Sequence, residues 1–276
     1  MLGVPKDEKP TWISRLAAQP AVHRAIRTFR LQELTSAALK VRPIKRRLPK
    51  SGIEYRVRYL ESFLMADEIF QRKIYREAFE GLDVRSFVDL GSNVGYFPLF
   101  AVELTGRRDL VGIAVDGNRS MTDETRWHVD HNHLANVKPL WGIVGYPSDV
   151  KEATFYLNPS NVSCSAQPVL NPDVPSKGRI KEVTVPTVDV ASAWMQHAGD
   201  VRVDVLKIDV EGFEREVLRT CGALLDKTSS VVVEWHKWIA SQDEVEALLR
   251  DRGFVRFRTI SEDPYCGVAV YRPRAS

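Results

Sequence analysis

Cysteine is scarce in this chain of 276 residues, and the three present, Cys164, Cys221 and Cys266, are odd in number and far apart. With no CxxC pair, neither a disulfide framework nor a structural zinc site is expected; buried or incidental thiols in a reducing compartment are the simpler reading. Long apolar runs are also missing. None approaches the roughly 18 residues that a membrane-spanning helix needs. The opening MLGVPKDEKP lacks the charged-then-apolar layout of a signal peptide, so a cytoplasmic protein is expected. No internal repeat is visible. What remains is ordinary globular composition, 44% hydrophobic and 27% charged, in a length that fits one large domain or one domain with an extension.

Charge is small in total, +3, but uneven. Residues 1–60 hold 14 Lys and Arg against 4 Asp and Glu, an excess of ten, which leaves the remainder at −7. A basic helical N-terminal arm over 1–58 is therefore expected before a mildly acidic domain over 59–276. The run Lys40–Lys50 contains no acid. It could dock an anionic partner or a membrane surface, or be a solvated linker broken by Pro43 and Pro49.

Apolar spacing of three and four predicts helices within 11–40 and 54–80, the second ended by Gly81. The pattern then changes to short apolar strands: Ser86–Leu90, Leu110–Val115, Val137–Val144, Val203–Ile208, Ser230–Val233, Phe254–Thr259 and Gly267–Tyr271. Helical stretches at 94–105, 119–134, 213–225 and 241–251 separate most of them. Such alternation predicts an α/β doubly wound sheet, mostly parallel and seven-stranded. The short link Ser261–Cys266 makes the last strand antiparallel. This is the plan of class I methyltransferases. The long connection over about 145–188 contains two further strand candidates, Ala153–Leu157 and Glu182–Val185, and a Pro-, Asn- and Ser-rich stretch. It reads as a lid over an acceptor or as a surface loop. Asp189 is expected to cap the helix that follows.

The segment Phe87-Val-Asp89-Leu-Gly91-Ser92-Asn93-Val-Gly95-Tyr96 runs strand, tight turn, helix. Gly91 permits the turn and close ligand approach, Gly95 lets the helix pack on the strand, and Asn93 tolerates a left-handed conformation. An acid at the strand end serves a pyrophosphate poorly. Asp89 instead suits the ammonium of S-adenosylmethionine, which carries no phosphate. Asp116, closing the next strand, would bind ribose hydroxyls or cap the following helix. Asn118, Gly142 and Ile143 complete the expected cofactor set with Asp209.

These residues, with Val185-Pro-Thr-Val-Asp189 and Lys207-Ile-Asp209-Val-Glu211-Gly212-Phe-Glu-Arg-Glu-Val-Leu, resemble the FkbM-type S-adenosylmethionine-dependent methyltransferases over about residues 60–260. The family's usual Glu-Pro-Asn after the second strand is here Asp116-Gly117-Asn118, which keeps the acid and the Asn and loses the Pro. The resemblance implies O-methylation of a hydroxyl on a sugar, glycolipid or secondary metabolite. A nucleic-acid methyltransferase using the basic arm and a non-catalytic cofactor-binding module are the alternatives. The nucleic-acid reading has only the arm behind it.

The catalytic candidates lie at strand ends near the expected crevice: Asp209, Glu211, Glu234 and His236. His236 could accept the acceptor's proton, with Glu234 orienting it, or lie in a surface loop. Glu211 could act there or stabilise a helix N-terminus. Asp209, Glu234 and His236 are types that hold a divalent metal, though their spacing does not demand one. His128-Val-Asp130-His131-Asn-His133 also has metal-ligand types, but a polar helix face explains it as well.

Overall fold

A computed structural model describes residues 31–158, 164–168 and 180–274. The helix expected near the N-terminus is described as α1, Leu31–Val41; residues 1–30 of the arm lie outside the described residues. The structure then departs from expectation. Instead of continuing as helix, the chain forms an antiparallel hairpin, β1 (Ile44–Arg47) and β2 (Glu54–Val57), so the basic run Lys40–Lys50 contributes a strand. Burial alternates along β2, with Tyr55 and Val57 inward and Glu54 and Arg56 outward. That period of two overrides the apparent helical spacing. Ile53, Tyr55 and Val57 join the main core, so the hairpin is packed into the domain. Helix resumes only in short pieces: α2 (Ser62–Ala66), a π turn at Asp67–Gln71 and a 3-10 turn at Arg76–Phe79.

The remaining elements follow the strand–helix alternation. They are β3 (Ser86–Leu90), α3 (Tyr96–Thr105), β4 (Val111–Asp116), α4 (Arg119–His131) and β5 (Val137–Trp141). A separate antiparallel pair, β6 (Glu152–Leu157) and β7 (Lys181–Pro186), comes next, followed by α5 (Val190–Ala198). The chain returns as β8 (Val203–Ile208), α6 (Glu214–Thr220), α7 (Gly222–Leu225), β9 (Thr228–His236), α8 (Gln242–Asp251), β10 (Phe254–Glu262) and β11 (Cys266–Pro273).

The seven-stranded sheet has the order β10-β11-β9-β8-β3-β4-β5. Strands β5, β4, β3, β8 and β9 are parallel, and β11 runs antiparallel between β9 and β10. Its central strands are buried on both faces, as a helix-covered parallel sheet requires: all five residues of β3 are buried. From β3 the chain winds outward through β4 to β5, then returns on the other side at β8. This reversal opens a crevice beyond the carboxyl ends of β3 and β8, where open α/β sheets bind ligands.

Arg56 ties the hairpin to α4. Its guanidinium makes a two-pronged ion pair with the buried Glu124 of α4, at 2.6 and 2.7 Å. No helix among the described residues is long and apolar enough to cross a membrane.

Candidate functional site

The turn after β3 is built on close backbone packing. The amides of Gly91 and Ser92 both donate to the Val115 carbonyl on β4, at 2.9 and 3.0 Å. Gly91 has φ of 76°, and a Cβ there would lie 1.6 Å from the Asp209 carbonyl oxygen, so only glycine fits. Gly95 has φ of 79°, and a Cβ would meet Thr125 of α4 at 2.6 Å. Asn93 adopts φ of 46°, and its amide donates to Asp116 Oδ2 at 2.7 Å. Asp116 Oδ1 accepts from the Asn118 amide at 2.7 Å. The helix N-cap is Asn118, whose side chain accepts from the Ser120 amide, so Asp116 is left to the crevice. Burial raises the Asp116 pKa to about 6, against the two backbone amides that lower it.

The crevice is lined by Gly91, Asn93, Asp116, Asn118, Gly142, Ile143 and Asp209 from the expected cofactor set. Asp89, Ser92, Gly95 and Tyr96 do not line it. Tyr96 points into the core and donates to the Arg56 carbonyl at 2.9 Å. Asp89 is fully buried, and the ammonium of Lys207, its register partner on β8, lies 3.2 Å from Oδ1. That ammonium also lies 3.3 Å from Asp209 Oδ2 and donates to the Gly91 carbonyl at 3.0 Å. Lys207 therefore already neutralises the carboxylate expected to grip a cofactor ammonium.

Described residues of the connection over 145–188 contribute to the crevice lining. Phe155 of β6, with Cys164 and Ala166, lines the crevice, and Ile143, Phe155 and Val185 form a small core of their own. Of the polar stretch expected to face an acceptor, 160–163 lie outside the described residues; Ser165 is buried and donates to the Glu211 carbonyl at 2.8 Å. Asp189 caps α5 by accepting from the Ser192 amide.

At the tip of β8 the crevice meets the catalytic candidates. Asp209 and Glu211 line it, and Glu211 holds φ of 52°, a conformation that non-glycine residues seldom adopt. Register places Val233 beside Ile208, so Glu234 follows directly beside Asp209. His236, two residues on, is buried. Its Nδ1 contacts Glu214 Oε1 at 2.7 Å, and its Nε2 lies 3.4 Å from Glu211 Oε2. The expected Glu234–His236 orientation is thus replaced: Glu214, from the start of α6, orients the ring. Burial alone would lower the His236 pKa, but Glu211, Glu214 and Glu234 outweigh it and hold the imidazole protonated. In that state it is a poor proton acceptor. Burial, aided by Asp209, raises Glu234 to about 8. Sequence reasoning missed Lys207 and Glu214; their roles depend on partners on β3 and β9.

The second histidine cluster does not converge. His128 is buried, with Nδ1 2.8 Å from the Val94 carbonyl and Nε2 accepting the Arg56 amide at 3.0 Å. Nδ1 must then carry the hydrogen. His131 instead pairs with Glu54 at 2.7 Å. Burial lowers the His128 pKa from 6.5 to about 4. The unfolded chain thus takes up a proton in this window before the folded one does. Stability from this residue is complete above pH 6.5 and falls by about 3 kcal/mol as pH drops through 4. Denaturant titrations of wild type and His128→Gln at pH 7 and pH 4.5 should show a smaller acid loss in the variant; equal losses would refute the assignment.

The lining also tests the cofactor expected from the sequence. Carboxylates of Asp116, Asp209 and Glu211 face the crevice beside the apolar Val115, Met121, Ile143 and Phe155. No lysine or arginine lines it among the described residues. This set suits a positively charged nucleoside with an apolar base and opposes a diphosphate, as S-adenosylmethionine requires.

No curated protein matches the sequence. Among solved structures, TrmK of M. capricolum with S-adenosyl-homocysteine is 11% identical, with 73% of this chain and 68% of that one covered and a TM-score of 0.44. A SAM-dependent methyltransferase from Aquifex aeolicus is 15% identical over 75% and 91%, with a TM-score of 0.43. M. jannaschii TYW2 in complex with AdoMet is 13% identical over 83% and 84%, again at 0.43. Residues 89–256, more than half of the chain, match the methyltransferase FkbM domain. The chain belongs to the FkbM methyltransferase family, and its cofactor is S-adenosylmethionine.

Proposed function

We propose that the protein methylates a hydroxyl group of a sugar, glycolipid or secondary metabolite. The observation that carries this reading is the acidic wall at the tip of β8, where Asp209 and Glu211 both line the crevice. Such a wall offers hydrogen-bond acceptors to hydroxyls and repels a phosphate backbone, which disfavours nucleic acid as acceptor. The basic hairpin is a separate surface, and an anionic partner or membrane there would serve docking rather than transfer.

S-adenosylmethionine, when bound, supplies a methyl group already activated by its sulfonium. The chain then has to align the acceptor and to receive its proton. Asp116 would take the ribose hydroxyls; its position on the crevice lining, with both oxygens oriented by backbone amides, supports this role. Since His236 is held protonated, a carboxylate takes the acceptor's proton. Glu211 suits this role, because it lines the crevice.

The test is calorimetric titration with S-adenosylhomocysteine, followed by methyl-transfer assays on carbohydrate and polyketide alcohols and on RNA. Turnover on an alcohol is expected. Glu211→Gln should lower kcat by about 10²-fold or more, the usual worth of a general base, while S-adenosylhomocysteine affinity changes little. Transfer to RNA with none to any alcohol would overturn the reading.

A further inference from the structure

Among the described residues, one group of His, Cys, Asp or Glu side chains is close enough to hold an ion: Asp209, Glu234 and His236 each offer a ligand atom, all within 4.8 Å of one another. We infer that these three residues form a site for one divalent transition-metal ion at the acceptor end of the crevice. The inference deepens the methyl-transfer reading and rests on it for the identity of that end.

Three features carry the assignment beyond a group of acids. First, the set is mixed, two carboxylates and an imidazole, delivered by adjacent strand tips rather than by one exposed loop. Glu234 and His236 are two residues apart on β9 and so share a face, and register sets Asp209 beside them. Second, the histidine is prepared from outside the ligand set. His236 is 3% exposed, and its Nδ1 is committed to Glu214, itself 0% exposed. Glu214 Oε1 also accepts the Gly212 amide at 2.9 Å, which fixes the carboxylate. A histidine that ligates a metal characteristically gives its other ring N–H to such a carboxylate, leaving the second nitrogen for the ion. Here Nε2 is the nitrogen left facing the crevice tip, with Glu211 at 3.4 Å. Third, local charge is not balanced. Among the described residues, the carboxylates of Asp89, Asp209, Glu211 and Glu214 share only two cations, Lys207 and the protonated His236. A divalent ion would offset the excess acid, displacing the Nε2 proton and the proton of Glu234 as metal ligation requires.

The donors also select the ion. One nitrogen and two carboxylates do not supply the six to eight oxygens that calcium takes, whereas manganese or zinc accepts this mixture and keeps positions open. Metal bonds of about 2.1 Å allow ligand atoms up to about 4.2 Å apart, so small side-chain rotations close the set. The open positions would bind hydroxyl oxygens of the acceptor, which points to a vicinal diol or hydroxy-carbonyl group rather than a lone alcohol.

The probe is Mn2+ alone, titrated into the full chain after chelator treatment and followed by electron paramagnetic resonance. We expect one bound ion per chain and, in spin-echo spectra of the wild type, one directly coordinated nitrogen. Glu234→Gln and His236→Gln should each weaken binding at least tenfold, and the nitrogen signal should vanish in His236→Gln. The wild-type spectrum answers the question even if a variant fails to fold. No stoichiometric binding, a bound ion without nitrogen coupling, or unchanged affinity in Glu234→Gln would each overturn the site. S-adenosylhomocysteine titrated into the same chelated protein separates the two readings. Cofactor binding and alcohol methylation with no Mn2+ site would remove the ion alone. An Mn2+ site in a chain that methylates no alcohol would remove the acceptor reading and leave the ion.

Discussion

Lys207→Met is expected to destabilise the fold by about 3–5 kcal/mol, the usual cost of removing one partner from a buried ion pair. The replacement fills much of the same volume, so the loss is electrostatic rather than a cavity. Lys207 is 3% exposed and Asp89 is 0% exposed. Burial alone would lower the Lys207 pKa, but Asp89 and Asp209 hold it above its ordinary value, so it stays charged. Burial raises Asp89 even with Lys207 opposing. Without the ammonium, Asp89 must either ionise unpaired in the core or keep a proton. Its folded pKa would then stand further above the unfolded value, so the variant should lose stability as pH rises from about 4 toward neutrality. Asp89→Asn in the Lys207→Met background removes the orphaned charge and should restore part of the loss. Denaturant unfolding of the three proteins at pH 5 and pH 8 measures both effects. A loss below 1 kcal/mol, or no rescue by the second substitution, would show that Asp89 and Lys207 are not a coupled pair. The turn at Gly91 should loosen as well, because the lysine also holds its carbonyl.

That pair shows where sequence reading reached and where it stopped. The strand, turn and helix over 86–105 were legible because each signal is local: an apolar strand, glycines at the turn and an apolar helix behind them. The parallel sheet and its antiparallel β11 were legible for the same reason, since the short link after β10 leaves room only for a hairpin. The role of Asp89 was not, because it depends on the register that sets Lys207 opposite it, from a strand far along the chain. His236 was found as a polar residue ending an apolar strand, but its protonation is decided by Glu214, which reaches it across a loop. The hairpin at 44–57 carried its own signal, alternation of Tyr55 and Val57 with Arg56 and Arg58. It was obscured by apolar residues further on that also fit a helical period. Residues Gly117 and Met121 of the crevice, and Phe155 in the long connection, became visible only when β4, α4 and β6 were brought together.

Asp116→Ala should weaken S-adenosylhomocysteine binding by about 100-fold or more, while Asp89→Asn should act mainly on stability. The difference follows from position. Asp116 lines the crevice, and its two oxygens are held by the amides of Asn93 and Asn118. Hydrogen bonds to a charged group are worth about 1.5–3 kcal/mol each, so losing two to a ribose diol costs at least the stated factor. Wild-type binding should also depend on pH in a defined direction. Burial raises Asp116 to about 6, so the carboxylate is ionised at pH 7.5 and largely protonated at pH 5. A protonated carboxyl is a weaker acceptor for the ribose hydroxyls. Binding that needs the ionised form should therefore weaken about tenfold from pH 7 to pH 5, one unit below the midpoint. Asp116→Ala removes the titrating group, so its weaker binding should be flat over the same range. Calorimetry at pH 5, 6 and 7.5 on both proteins measures the slope and its loss. A wild-type affinity that stays level to pH 5 would mean that Asp116 binds no ribose hydroxyl through its charge. The cofactor would then be held by the backbone of the Gly91 turn and the apolar wall alone, and the acid closing β4 would be a brace for that turn rather than part of the binding surface.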